Sequence, residues 1–137
     1  VNADTHKASG TLPLFLAVYL GGGIGTLSRF ELGELLPADP TNWPWHTFIA
    51  NIVACAVLSF VLAHRERGWG GDTRTALIAT GFCGGLSTFS ALQLEIYRMF
   101  DAGSWLLAIG YLAASVSVGI ALITLARRYV SRGEDVA

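Results

Sequence analysis

Charge is what this chain has least of. Only 14% of its 137 residues are Asp, Glu, Lys or Arg, against roughly 25% in an average soluble domain, while 53% are apolar and the mean hydropathy is +0.52. Nine basic and ten acidic residues leave a net charge of −1, so no strongly basic face exists for nucleic acid. The only cysteines, Cys55 and Cys83, are too few and too far apart for a disulfide-stapled secreted domain or a thiolate metal site. Both fall inside apolar runs, where a reduced thiol acts as a small apolar side chain. Little polar sequence remains for a separate catalytic domain, which excludes a soluble enzyme.

What is there is long apolar sequence. The nineteen charged residues leave four uncharged runs, at 8–28, 40–64, 75–94 and 102–126. A helix needs about 20 mostly apolar residues to cross the roughly 30 Å hydrocarbon core of a bilayer. The pattern predicts an all-α membrane protein, one domain over 1–137, with transmembrane helices near 12–34, 44–63, 75–100 and 105–127. The connectors at 36–43, 65–74 and 100–104 are short, so consecutive helices run antiparallel. Lys7 and the apolar run to Leu20 imitate a signal peptide, but no A-x-A-like site follows and none is expected to be cleaved. Gly21 and Gly25 form a GxxxG pair that lets another backbone approach closely. Gly110, Ala114, Ser117 and Ala121 form a second small-residue stripe.

The basic residues are unevenly shared. The N-terminus, the 65–74 connector and the C-terminus carry Lys7, Arg65, Arg67, Arg74, Arg127, Arg128 and Arg132; the opposite end has Arg98 and, if it reaches that far, Arg29. Seven against two predicts both termini in the cytoplasm. Trp43, Trp45 and Trp105 are expected as an aromatic belt at the outer interface, with Trp69 on the inner side.

Polar residues at membrane depth are expensive and mark function by default. Asn51 lies mid-span: it either ties two helices together or presents its N–H groups to a polar path. The run Gly81-Phe82-Cys83-Gly84-Gly85-Leu86-Ser87-Thr88-Phe89-Ser90 is poor helix former. It is either an intact helix whose glycines pack closely, or a break whose carbonyls from Gly84 to Ser87 could ligate a hard monovalent cation. Glu95 is placed to pair with Arg98 one turn on. Arg29 either snorkels to headgroups or makes a positive vestibule. His46 and His64 sit at membrane boundaries.

Three segments, GGGIGTLSRF (21–30), TFIANIVA (47–54) and GFCGGLSTFSAL (81–92), together resemble the Fluc/CrcB fluoride channels in order and spacing, across essentially the whole chain. The resemblance implies a four-helix subunit with a broken third helix, an antiparallel dual-topology-type dimer, a central structural sodium ion and passive export of fluoride across the plasma membrane. Residue by residue, it implies that the Gly84 and Ser87 carbonyls hold sodium and that Asn51 and Phe89 line the pore. Thr88 and Ser90 match hydroxyl-bearing neighbours, Tyr111 and Ser115 a polar track on the fourth helix, Arg29 a vestibule arginine and Glu95 a carboxylate near the pore. Amide and hydroxyl donors, with the positive edges of aromatic rings, would replace the hydration of a small anion.

The chain also departs from the family pattern. Ser87 and Ala91 replace threonines, and Leu92 stands where a second pore phenylalanine is expected, filling similar space without an electropositive edge. The charge bias and Leu92 favour pairing with a second, oppositely oriented subunit over pairing with an identical chain. Two rival classes share the four-span size. A proton-coupled multidrug exporter needs a carboxylate in the first span, and 8–28 has none; a non-conducting structural subunit would show no flux of its own.

Overall fold

The computed structural model describes residues 4–65, 68 and 71–132; Arg67 and Trp69, weighed above for orientation, lie outside the described residues. Helix α1 spans Asp4–Leu35 and α2 Trp45–Arg65. The third crossing is composite. It comprises α3, Asp72–Thr75, then a π-helical segment, Ala76–Phe82, then α4, Cys83–Leu86. After Ser87 and Thr88 comes α5, Phe89–Asp101, and α6 runs Trp105–Arg132. Four stretches are long and apolar enough to cross a membrane: Thr11–Leu35, Trp45–Arg65, Asp72–Asp101 and Trp105–Tyr129. Their bounds lie within a few residues of the expected spans.

Glycine explains the closest packing. Gly21 and Gly25 of α1 face the third crossing backbone to backbone. A Cβ on Gly21 would collide with the Leu77 carbonyl and lie 2.9 Å from the Phe82 nitrogen; one on Gly25 would collide with the Phe82 carbonyl and lie 2.8 Å from the Leu86 nitrogen. The partner contributes its own glycines: a Cβ on Gly81 would lie 2.8 Å from the Val18 carbonyl, and one on Gly85 would strike that of Gly22. Where no hydrophobic force separates helix from lipid, such close van der Waals packing holds helices together. The widened π turns lie along this glycine contact.

Two clusters complete the interior. Ala50, Ala54, Cys83 and Leu86 join α2 to α4. Nearer the 36–44 connector, Leu92, Met99, Ala108 and Tyr111 pack with Trp43 and Phe48 between α5 and α6. Two of the residues singled out above pack inward here. Leu92, expected at the pore, is only 7% exposed inside this cluster. Trp43, expected in the interfacial belt, packs edge-on against Phe48 and Tyr111 at 5.4 and 5.3 Å; Trp45 and Trp105 remain exposed. The outer faces of α1 and α6 are almost wholly apolar and uncovered, with Phe15, Tyr19, Leu27, Leu106 and Ile120 all exposed.

Candidate functional site: a polar seam through the apolar bundle

The site is built around two extended residues. Helix α4 closes with the Ser87 N–H on the Cys83 carbonyl at 3.0 Å. Ser87 (φ −75°, ψ 153°) and Thr88 (φ −151°, ψ 119°) then run extended before α5 begins. Extended backbone at this depth leaves peptide groups that water cannot satisfy, and three side chains take them up. Asn51, from mid-α2, clasps the Thr88 peptide on both sides: the Thr88 N–H donates to Oδ1 at 2.7 Å and Asn51 Nδ2 donates to the Thr88 carbonyl at 3.1 Å. Thr88 Oγ1 caps α5 by accepting the Ala91 N–H at 3.2 Å. Arg29 Nη1 donates to the Ser87 carbonyl at 3.3 Å.

The Thr88–Asn51 bond changes the accounting at Gly84. In continuous helix the Thr88 N–H would close on the Gly84 carbonyl; here it goes to Asn51. Gly84 is exposed, with nothing within 4 Å of where a Cβ would stand. Ser87 turns its hydroxyl back onto the Cys83 carbonyl at 2.8 Å, so its own carbonyl points elsewhere, towards Arg29. A carbonyl oxygen has two lone pairs, so Arg29 leaves one on Ser87. Two oxygen acceptors, at 84 and 87, fit the donor set of a hard monovalent cation.

Asn51 is therefore an interhelical tie, and more. An amide has two N–H donors and one acceptor oxygen; the Thr88 peptide engages the oxygen and one N–H, and the other is left over. Asn51 lines an open cleft of about 370 Å³ together with Cys55, Gly84, Ser87, Thr88 and Phe89. A second open cleft, about 520 Å³, is lined by Arg29, Glu34, His46, Thr47, Thr88 and Ser90 among others. Thr88 belongs to both, and its hydroxyl lies 3.2 Å from that of Ser90. Phe89 is 71% exposed at the mouth of the first cleft.

Glu95 departs from its expected pairing. Its carboxylate turns inward, not to Arg98, and is 7% exposed. Thr47 Oγ1 donates to Oε1 at 2.6 Å, Tyr111 Oη to Oε2 at 2.9 Å, and His46 Nε2 lies 3.0 Å from Oε1. His46 Nδ1 is buried with no hydrogen-bond partner among the described residues, as is Ser115 Oγ. Tyr111 is fully buried. Tyr111, Ser115 and Leu92 line neither of the two clefts, whereas Asn51, Thr88, Phe89, Ser90 and Arg29 each line at least one. His46, expected only at the membrane boundary, joins the site; the signal for it in the sequence is the need of a carboxylate inside a span for several polar partners, with His46 and Thr47 adjacent.

Four helices long and apolar enough to cross a membrane, with polar side chains gathered between them, define a multi-pass membrane protein. Residues 16–127 match the family described as CrcB-like protein, Camphor Resistance (CrcB), and the chain belongs to that family. It is 40% identical over 117 residues, 85% of this chain and 89% of the other, to a protein of Mycolicibacterium paratuberculosis named fluoride-specific ion channel FluC 1. A Mycobacterium bovis protein of the same name is 38% identical over the same coverage. The fluoride-specific ion channel FluC of Ignicoccus hospitalis is 36% identical over 121 residues, 88% and 91% of the two chains. The relatives are named as ion channels, a non-enzymatic class.

Proposed function

We propose that this chain is a subunit of a fluoride-selective channel that lets fluoride leave the cell passively through the plasma membrane. The observation that carries the reading is the Asn51–Thr88 clasp, which leaves one amide N–H, a ring and hydroxyls on a cleft otherwise walled by apolar residues. Fluoride is small and strongly hydrated, so a narrow path must supply hard donors in place of water. The spare Asn51 N–H, the Thr88 and Ser90 hydroxyls and the edge of Phe89 are of that kind. Arg29, on the second cleft, adds positive potential at the approach; Tyr111 and Ser115, matched to a polar track on the fourth helix, stand behind the clefts, with Tyr111 held on Glu95. The relatives' names support the substrate. The absence of a carboxylate at 8–28 speaks against a proton-coupled exporter.

The exposed Gly84, the diverted Thr88 N–H and the free lone pair on Ser87 support a structural sodium ion shared between the Gly84 and Ser87 carbonyls of two antiparallel subunits. Such an ion, when bound, supplies fixed positive charge at the centre of the pair. The basic excess at the terminal end supports cytoplasmic termini. The test is flux from liposomes: vesicles holding the assembled channel release fluoride rapidly and retain chloride. Equal loss of both halides, drug–proton exchange or no flux at all with any partner overturns the reading.

A further inference from the structure

The seam between α2 and α6 carries a feature unrelated to the polar path. At the terminal end of the bundle, a groove of about 440 Å³ is lined by Ser59, Leu62, Ala63 and Arg65 of α2 and by Ile123 and Arg127 of α6. Its residues are layered. Leu62, Ala63 and Ile123 form an apolar floor, and one helical turn nearer the helix ends stand two guanidinium groups. Ile123 and Arg127 share a face because they are four residues apart.

The two arginines differ in their engagement. Arg65 donates to the Asp72 carboxylate at 3.0 Å and keeps half its side chain exposed. Arg127 is exposed and makes no ion pair among the described residues. The groove also lies at the end of the molecule with the basic excess. Arg74 and Arg128 stand at the same end, together with Asp4 and Asp72, whereas Glu31, Glu34, Asp39, Glu95 and Asp101 lie towards the other. An apolar trough rising to a cationic rim at the membrane–water boundary matches one kind of molecule: an acyl chain below and an anionic phosphate above. Guanidinium groups are suited to phosphate oxygens because their planar fork offers paired N–H donors. Basic pockets between transmembrane helices take anionic headgroups on the same physical grounds.

We propose that this groove is a binding site for an anionic phospholipid, its phosphate held by Arg127 with Arg65 and one acyl chain laid along Leu62, Ala63 and Ile123. Arg127 is the selective element. Arg65, already tethered by Asp72, fixes the rim, and the apolar floor takes a chain from any lipid. The site therefore distinguishes lipids by headgroup and not by chain.

The full chain, reconstituted in phosphatidylcholine bilayers containing spin-labelled phosphatidylglycerol or spin-labelled phosphatidylcholine, tests this through the motionally restricted fraction of each label. Phosphatidylglycerol is expected to associate about fivefold more strongly than phosphatidylcholine, the scale of one surface arginine on an anionic lipid. Arg127→Gln abolishes that preference, Arg127→Lys retains part of it, and Arg98→Gln, at the opposite end, leaves it intact. Ile123→Trp, which fills the floor, lowers restriction of both lipids at this site. Soluble glycerol phosphate at millimolar concentration does not displace the lipid. Three outcomes overturn the proposal: equal association of the two lipids, as when a second copy of the chain covers the groove; equal loss of preference in Arg127→Gln and Arg98→Gln; or displacement by glycerol phosphate, which would mean a phosphate site without a lipid chain. Circular dichroism of each variant confirms that the helices are intact, so a null result cannot be assigned to unfolding.

Discussion

At the scale of single residues, the chemistry of the seam is a problem in satisfying donors and acceptors without water. Asn51 does two things, and its substitutions separate them. Asn51→Ala removes the clasp on Thr88 and strands a part-buried N–H and carbonyl, at a cost of up to about 1–3 kcal/mol, and it also deletes the spare donor. Flux is expected to be lost, with a lower unfolding temperature in detergent. Asn51→Asp keeps an acceptor for the Thr88 N–H but brings negative charge to the cleft, so flux is lost with a smaller change in stability. Normal fluoride flux in either variant removes Asn51 from the path. Glu95 poses the complementary problem, a buried acceptor with three polar partners. Tyr111→Phe keeps the ring against Trp43 and Phe48 and deletes only the hydroxyl on Oε2. Leaving a buried hydrogen-bonding group without its partner costs about 1–3 kcal/mol, and thermal unfolding of this variant should register a loss of that order. An unchanged melting temperature would show that the Tyr111–Glu95 bond contributes nothing.

At the scale of helices, glycine sets which elements can meet. Gly21 and Gly25 lie against carbonyls and amide nitrogens of the third crossing, whereas Gly23, between them in sequence, has nothing within 4 Å of a Cβ position. Gly25→Ala must move backbone, so it is expected to destabilise by about 1–3 kcal/mol as overpacking does. Gly23→Ala gains helix propensity and should be neutral or slightly stabilising. Unfolding in detergent that treats the two alike would refute this contact. The span boundaries and the GxxxG contact were legible beforehand because hydrocarbon imposes length and close approach demands small residues, and both leave a mark in composition. Facing was less legible. Leu92 and Glu95 each lie on α5, and counting apolar residues along a span cannot say which face of it turns inward. The π segment at Ala76–Phe82 was not legible at all, since a change of hydrogen-bond register leaves composition untouched. Asn51 was legible as a polar residue in the wrong solvent, but its partner, a backbone peptide 37 residues away, carries no side-chain signature.

At the scale of the whole molecule, the uncovered apolar faces and the uneven charge bear on how subunits would assemble. An antiparallel pair of identical chains requires both orientations in one bilayer, and the balance of Lys and Arg near the span ends sets orientation. Seven basic residues at the terminal end against Arg29 and Arg98 elsewhere predict one orientation, and the antiparallel pairing proposed above would then call for an inverted partner of different sequence. Leu92 no longer adds support: its side chain lies in the subunit's own core, so its replacement of a phenylalanine says nothing about a decayed second pore. Charge alone carries the prediction, and charge can be edited without touching the seam. Expressed by itself, the chain with a C-terminal tag should expose that tag on one face of the membrane and give little fluoride flux. Arg127 and Arg128 changed to Gln, with Thr41 and Asn42 in the exposed connector changed to Lys, weaken the bias from both ends. This variant should expose tags on both faces and gain flux from the single chain, because inverted copies then become available to pair. Tags on both faces in the unedited chain, together with robust flux, would show that seven against two is tolerated and that the chain supplies its own inverted partner.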